Sequence, residues 1–479
     1  MEEKFRQVLQ TVLGRIVPSV EERQATDRTT EEVLSRVQKA LEEESVQGAV
    51  EVGGSVAKDT WLRDDVEIDF FILFPADVDR ETLKRTGLRV AHKALAGCKT
   101  RERYAEHPYL EGWVSGIRVN IVPCYKATEK QWLSSADRSP YHTRYVQGKL
   151  GENPNLANEI KLLKRFLKGT NVYGAEIRIG GFSGYLCELL IINYGTFLSS
   201  LRAFAQWRFG EILDIERLHH GRTDEMQRLF QTPLIVVDPV DSNRNVAAAV
   251  TRERMTELIA ASRFFLERPV EEFFYPQKAA VDLDVLREKF SSSELDVIAV
   301  VMRNEEKIPD ILWGELGRTA RALVNLLETN GFTVLRAEHW SDEAEISAII
   351  ITLESARIPP TRKHLGPPGD SRETTPFLEK YRTKGTIGPW VEKGRWVVGA
   401  RRRYAEAMTL LRERLDGGGQ GIGVSTELIE VLRSSRLLVG PHVLDVSSSE
   451  AFRRFLARFI EGRPPWLAYS SSPSSCTSS

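Results

Sequence analysis

No apolar run in the 479 residues approaches the ~18 that a bilayer-spanning helix requires. The opening residues Met1-Glu2-Glu3-Lys4-Phe5-Arg6 lack the apolar centre of a signal peptide. A cytoplasmic protein with no membrane contact is expected. Cysteine is scarce: Cys98, Cys124, Cys187 and Cys476 show no paired spacing of the kind a zinc site or a disulfide framework needs, and they read as reduced, structural thiols. Neither sign of charge is in excess, with 66 basic and 67 acidic residues and a net charge of −1. The overall balance therefore does not announce a nucleic-acid binder, and any such surface must be a local patch. No internal repeat of fixed period is present.

What is present supports a folded multidomain chain: 42% hydrophobic residues, and a length that at roughly 150 residues per domain predicts three or four units. The first segment reads as a helix through Leu9, Val12, Leu13 and Ile16, broken at Pro18, with a capping pattern Ser19-Val20-Glu21-Glu22 opening the next. A helix through Val33, Val37 and Leu41 leads to a strand at 49–52. Strands near 66–74 and 117–123 flank a helix over 81–95, and 127–200 is mainly helical. A helix at 253–265, a strand at 295–301, a helix at 312–328 and strands at 333–335 and 347–353 follow, the last four as a strand-helix-strand-strand unit. Residues 359–371, rich in turn formers, read as a connection. Lys161, Lys164, Arg165 and Lys168 form a basic stripe at helical spacing, either a solvated face or a patch for RNA.

The chemistry is concentrated at 53–74. A Gly53-Gly54-Ser55 turn precedes Glu67-Ile68-Asp69 and the apolar run Phe70 to Phe74. Strand side chains alternate between faces, so Glu67 and Asp69 share one face and Val66, Ile68 and Phe70 the other. Two adjacent carboxylates call for positive charge, and Mg²⁺ prefers such hard oxygens while keeping positions for water and phosphate. A turn without side-chain bulk at Gly54-Ser55 lets backbone amides approach phosphate oxygens. Each piece alone is common, as a turn and as the solvated face of a sheet.

The order and spacing of these pieces resemble the archaeal-type (class I) CCA-adding enzymes, tRNA nucleotidyltransferases of the polymerase-beta superfamily. The same order continues through Ala105-Glu106-His107-Pro108-Tyr109, Ile121-Val122-Pro123-Cys124-Tyr125, Val172-Tyr173-Gly174-Ala175-Glu176, the block from Gly181 to Leu190, and Val236-Val237-Asp238-Pro239-Val240-Asp241. It is thinner beyond residue 250, where Leu365-Gly366-Pro367-Pro368 and Gly394-Arg395-Trp396 are the anchors. The resemblance implies an α+β multidomain fold: a polymerase-beta-like palm over 1–148, a helical neck over 149–232, a body from 233–290 with 391–466, a small α/β tail domain over 291–390 that contacts tRNA, and a disordered Ser-rich end at 467–479. It implies template-independent addition of C, C and A to tRNA from CTP and ATP, with Mg²⁺, in a homodimer.

Carried over residue by residue, the resemblance implies catalytic and metal positions at Glu67, Asp69 and Asn120. It implies nucleotide contacts at Gly54, Ser55, Lys58, His142, Lys164, Tyr173 and Arg244, the last reading the base, and RNA contacts at Arg395, Arg401 and Arg402. The chain departs from the pattern at Asn120, where the family has a third carboxylate, and at Lys58, where it more often has arginine. An amide oxygen can ligate Mg²⁺ but carries no charge, so reduced activity is expected. Arg118, in the same strand, stands where an acid is also common. An engineered change, a natural variant with residual activity, and a homologue that binds tRNA without turnover all fit Asn120. A poly(A)-type transferase is the alternative activity.

Overall fold

In the computed structural model the described residues are 1–104, 108–128, 131–276, 283–291, 296–305 and 307–469. The serine-rich end beyond Tyr469, Cys476 included, and the Ala105-Glu106-His107 part of one motif lie outside them. The chain divides into two units, residues 1–278 with 463–479, and residues 279–462.

The first unit opens with helices α1 (Glu2–Ile16) and α2 (Val20–Glu43). The break between them is where the sequence places it, and Ser19 and Glu22 close a reciprocal capping box. A sheet follows: β1 (Ala49–Gly53), the short helix α3 (Gly54–Ala57), β2 (Glu67–Phe74), α4 (Arg80–Ala94), β3 (Lys99–Tyr104), β4 (Pro108–Val114) and β5 (Ile117–Tyr125). The strand order is β1-β2-β5-β4-β3, with β2 and β5 parallel and the other pairs antiparallel. Ile68, Phe70, Ile72 and Phe74 of β2 are buried with Val119 and Ile121 of β5 against Val33 and Val37 of α2 and Leu83 and Val90 of α4. Period two then leaves Glu67 and Asp69 on the opposite face.

Helices α5 (Ser139–Glu152), α6 (Leu156–Gly169), α7 (Gly184–Tyr194) and α8 (Phe197–Phe204) come next. They are followed by β6 (Glu211–Leu213), α9 (Thr223–Phe230), β7 (Leu234–Asp238), β8 (Asp241–Asn245) and α10 (Arg252–Glu267). Phe166 of α6 anchors their core, its ring centroid 5.5 Å from those of Phe197 and Phe265 and 5.6 Å from that of Phe274. Tilted and edge-on aromatic packing of this kind fixes α6 rotationally.

The second unit contains α11 (Leu283–Ser291), β9 (Asp296–Arg303), α12 (Pro309–Thr329), β10 (Val334–Ser341), β11 (Ile346–Leu353), β12 (Thr361–Pro368), α13 (Thr374–Lys384), β13 (Gly385–Glu392) and β14 (Arg395–Arg401). It closes with α14 (Ala407–Asp416), α15 (Ile429–Arg433), β15 (Arg436–Val439) and α16 (Glu450–Glu461). Its four-stranded sheet has the order β10-β11-β9-β15 and its three-stranded sheet the order β12-β14-β13. β9 is apolar on both faces because both are covered: Ile298 and Val300 meet α12, while Val297 and Ala299 share a cluster with α11 and α16. The expected strand-helix-strand-strand unit is β9-α12-β10-β11.

Two features differ from the sequence expectation. Residues 361–368, expected as a connection, form β12; as an edge strand it tolerates Pro367 and Pro368, which cannot donate to a ladder. Strand pairing also joins residues expected in separate body and tail segments, since β15 pairs with β9 and β14 with both β12 and β13. Among the described residues no helix is long and apolar enough to cross a membrane.

Candidate active site

Gly53 pairs with Asp69 at the end of the β1–β2 ladder, and Gly54 then turns the chain at φ +68° into α3. A Cβ on Gly54 would stand 1.9 Å from Asp69 Oδ2. The glycine is therefore needed twice, for its dihedral and for the approach of the backbone to a carboxylate. α3 carries Ser55 and delivers Lys58 at its C-terminal end.

The β2–β5 register sets Asn120 opposite Asp69 and Arg118 opposite Glu67. Asn120 Nδ2 donates to Asp69 Oδ1 at 2.9 Å and also to Glu67 Oε1. Arg118 Nη2 donates to Glu67 Oε2 at 2.5 Å. Burial raises both carboxyls above their usual range. For Glu67 the charge of Asp69 adds to the rise, and Arg118 and Asn120 only partly offset it. For Asp69 the Asn120 hydrogen bond and the charges of Lys58 and Arg118 are the opposing influences.

Among the described residues no group of three or more His, Cys, Asp or Glu side chains is arranged to hold a metal ion. The donor set here is two carboxylates and an amide. It fits a hard cation on two grounds: buried carboxylates held above their usual range favour added positive charge, and Asn120 Oδ1 is buried with no hydrogen-bond partner. Half a turn of the Asn120 amide would exchange Nδ2 for that oxygen and give the cluster a third oxygen donor.

Beside the carboxylates lies a buried cationic group. Lys58 Nζ is 2.5 Å from Glu188 Oε2, and Lys164 Nζ is 3.0 Å from Glu188 Oε1 and 3.0 Å from Thr60 Oγ1. Burial pushes the Lys58 ammonium below its usual range against the pull of Glu188. Gly184, the first residue of α7, lies between Tyr173 and Lys164: a Cβ there would stand 3.0 Å from the Tyr173 hydroxyl and 3.7 Å from Lys164 Nζ. The N-terminus of α7, the Lys164 ammonium and a phenol thus converge, with Lys58 joined to Lys164 through Glu188, a setting suited to phosphate oxygens.

The basic stripe of α6 is not a surface patch. Lys161 and Lys164 are buried, and the four cations are taken up internally: Lys161 by Asp59, Lys164 by Glu188, Arg165 by Asp64 and Lys168 by Asp65. The loop before β2 supplies three of those acids, a long-range pairing that spacing along one helix does not reveal.

A third cluster surrounds Asp238, fully buried at the end of β7. His142 Nε2 lies 2.8 Å from Asp238 Oδ2, Arg244 Nη1 donates to the same oxygen at 2.7 Å, and the Tyr185 hydroxyl donates to Oδ1 at 3.2 Å. The His142 ring stacks on Tyr185 with centroids 4.0 Å apart. Burial lowers the His142 pKa although Asp238 opposes it, and burial raises that of Tyr185. Arg244, in a polar loop where a solvated arginine is the ordinary reading, is held by this carboxylate with its side chain 37% exposed.

In the second unit, Arg395 donates from Nε at 3.1 Å and from Nη2 at 2.8 Å to the Gly366 carbonyl. Arg401 is exposed, and Arg402 Nη1 lies 3.5 Å from the Asn330 carbonyl. Residues 361–403 hold 11 Lys and Arg against 4 Asp and Glu, a local excess of 7 positive charges in a chain of net charge −1.

Three family descriptions match the chain: "Nucleotidyltransferase domain" over 34–144, "tRNA nucleotidyltransferase, second domain" over 158–275 and "CCA-adding enzyme, C-terminal domain" over 295–436. The CCA-adding enzyme of Methanothermobacter thermautotrophicus is 35% identical over 466 residues, covering 95% of this chain and 98% of the relative. The chain belongs to the archaeal-type CCA-adding enzyme family. The Methanopyrus kandleri family member is likewise 35% identical, over 96% of this chain and 98% of its own. A structure of the Cid1 poly(U) polymerase bound to MgGTP covers 57% of this chain and 99% of its own at TM-score 0.47 and 15% identity.

Against that family background, the fold brings together Glu67, Asp69 and Asn120, places Lys164 and Tyr173 at one helix end with Lys58 joined to Lys164 through Glu188, and joins His142 to Arg244 through Asp238. Thr60, Arg118, Tyr185, Glu188 and Asp238 were not anticipated as members of these clusters. Glu188 had a signal: one acid in the run Leu186-Cys187-Glu188-Leu189-Leu190-Ile191 must be paired if the run is buried. Asp238 had none beyond its place in a quoted motif.

Proposed function

We propose that this chain adds C, C and A to the 3′ end of immature tRNA, without a nucleic-acid template, using CTP and ATP. The observation that carries the reading is the pair Glu67 and Asp69 on one face of β2, beside the buried ammonium pair Lys58 and Lys164. The nearly full-length relatives named CCA-adding enzymes give it its substrate.

In this reading the 3′-hydroxyl oxygen bonds to the α-phosphorus as the bond from that phosphorus to the pyrophosphate oxygen breaks, and the hydroxyl proton passes to solvent water. Ser55, Lys58, His142, Lys164 and Tyr173 bind the triphosphate, and the backbone at Gly54 lets it come close to Asp69. Arg244, aimed by Asp238, offers a guanidinium fork to the ring acceptors of C and A. Glu67, Asp69 and Asn120 would hold a divalent cation, read here as Mg²⁺, whose chemistry when bound is to acidify the hydroxyl and offset charge on the departing pyrophosphate. The basic 361–403 segment, with Arg395, Arg401 and Arg402, contacts RNA phosphates. A homodimer completes the reading, and light scattering on the eluted protein tests it.

A second reading, tRNA binding with impaired turnover, is favoured by one observation: Arg118 and Asn120 bring a cation and an amide to the carboxylates where a third acid would add charge. Incubation with Mg²⁺, labelled CTP or ATP and tRNA lacking its terminal nucleotides tests both. Incorporation of both nucleotides supports the first reading. Binding without incorporation supports the second, and long untemplated A tails would replace both with a poly(A)-type activity.

A further inference from the structure

We infer that Glu188 is the positioning residue for the nucleotide's triphosphate: one buried carboxylate that holds Lys58 and Lys164 side by side and aims both ammonium groups. The inference rests on the reading that these two lysines bind the triphosphate.

Glu188 is the single acid of α7, and Leu186, Cys187, Leu189, Leu190 and Ile191 around it are buried. A carboxylate in such a place costs several kcal/mol unless it is fully paired. Here the pairing is threefold, from two segments: Lys58 at the end of α3 (2.5 Å) with Thr60 Oγ1 just after it (2.6 Å), and Lys164 of α6 (3.0 Å). Each carboxylate oxygen takes one ammonium group.

A staple between helices needs only one lysine. Two ammonium groups share this one carboxylate, with Asp69 the other negative charge acting on Lys58, and lysine stems are flexible, so their direction is set by what they bond to. Thr60 fixes that direction by donating to the Glu188 oxygen that Lys164 also uses, while its own hydroxyl oxygen and backbone carbonyl accept from Lys164 at 3.0 and 3.1 Å. Lys164 reaches the start of α7, where a Cβ on Gly184 would stand 3.7 Å from its Nζ and 3.0 Å from the Tyr173 hydroxyl, and Glu188 holds Lys58 next to it. A polyanion is the ligand class that two adjacent ammonium groups suit. Without Glu188 the two cations repel and separate.

This predicts a sign that simple electrostatics opposes. Removing a negative charge near a triphosphate should by itself tighten binding, whereas removing a positioning residue weakens it in proportion to the phosphates bound. CTP and CMP affinities are measured by calorimetry on the full chain for the parent, Glu188→Gln, Thr60→Val and Lys164→Ala, with tRNA affinity as the reference for an intact fold. Glu188→Gln is expected to weaken CTP by roughly ten-fold or more, about 1.4 kcal/mol, and to leave CMP and tRNA within about two-fold. Thr60→Val, which keeps the charge, should give a smaller loss with the same selectivity, and it carries the test if Glu188→Gln does not fold. Equal losses for CTP and CMP would make Glu188 a structural staple, and unchanged or tighter CTP binding would equally overturn the inference. If Lys164→Ala leaves CTP binding intact, the reading of the lysines as triphosphate contacts fails and the inference with it; if Lys164→Ala loses CTP while Glu188→Gln does not, the inference alone fails.

Discussion

Asn120 stands directly opposite Asp69 across the parallel β2–β5 pair, with its amide Nδ2 donating to Asp69 Oδ1 at 2.9 Å. The amide bridges two carboxylates, Glu67 being the second, at the position where the family resemblance implies a third acid. It quiets the metal-free site, and it contributes no charge toward a cation.

Asn120→Asp should therefore act in two directions. Nucleotide incorporation in Mg²⁺ rises, by roughly ten-fold if the added ligand is worth ~1.4 kcal/mol in the transition state. In metal-free buffer the melting temperature falls, because three carboxylates now face one another, and Mg²⁺ restores it. Primer-extension rates and thermal melts with and without chelator read the two effects. No gain in rate from a fully active parent would show that two carboxylates suffice.

Asp69→Asn should abolish nucleotide addition yet stabilise the metal-free protein. Burial raises the Asp69 carboxyl above its unfolded value, so the folded state binds more protons and stability falls as pH rises through that window. The neutral isostere removes the penalty at neutral pH. A higher melting temperature in chelator, with tRNA affinity within a few-fold of the parent, is expected. A lower one would mean that the carboxylate supports the fold.

Glu188 has the opposite sign. Burial alone would raise its carboxyl, but the charges of Lys164 and Lys58 and the hydrogen bonds from Lys58 and Thr60 pull it down to about 2 from 4.5. Its stabilisation is present above pH 4.5 and lost as pH falls toward 2. Urea unfolding across this range should show a shallower acid limb for Glu188→Gln than for the parent.

Base choice should depend on Arg244 and on what aims it. Arg244→Ala is expected to reduce the preference for CTP and ATP over UTP and GTP by about ten-fold, the order of one charged hydrogen bond. Asp238→Asn should do so less, since the arginine remains but loses its 2.7 Å anchor. Competition assays with all four nucleotides decide this, and an unchanged preference in Arg244→Ala would move base selection elsewhere.

For the second unit, Arg401→Ala and Arg402→Ala should each weaken tRNA binding similarly for different tRNAs and lower the salt slope of log affinity by about one if each meets one phosphate. Filter binding at several salt concentrations measures the slope. An unaltered slope would remove these arginines from the RNA surface.

Much of this protein is written in local pattern. The period-two run from Glu67 to Phe74 determines which face of β2 is core and which is chemical, and Ser19 with Glu22 determines where α2 begins. The β-branched run at 296–301 and the leucines of α12 mark their own elements, because each is a statement about one segment and its solvent. The neighbours were decided by tertiary structure alone. The stripe Lys161, Lys164, Arg165 and Lys168 has the same helical spacing whether it meets water, RNA or acids, and only folding brought Asp59, Asp64, Asp65 and Glu188 to it. Asp238 could gather His142, Tyr185 and Arg244 only once β7, α5, α7 and β8 had met, and 361–368 became a strand because β14 lay beside it to pair with. Periodicity specifies a face; burial energy and the pairing of buried charge choose what that face meets.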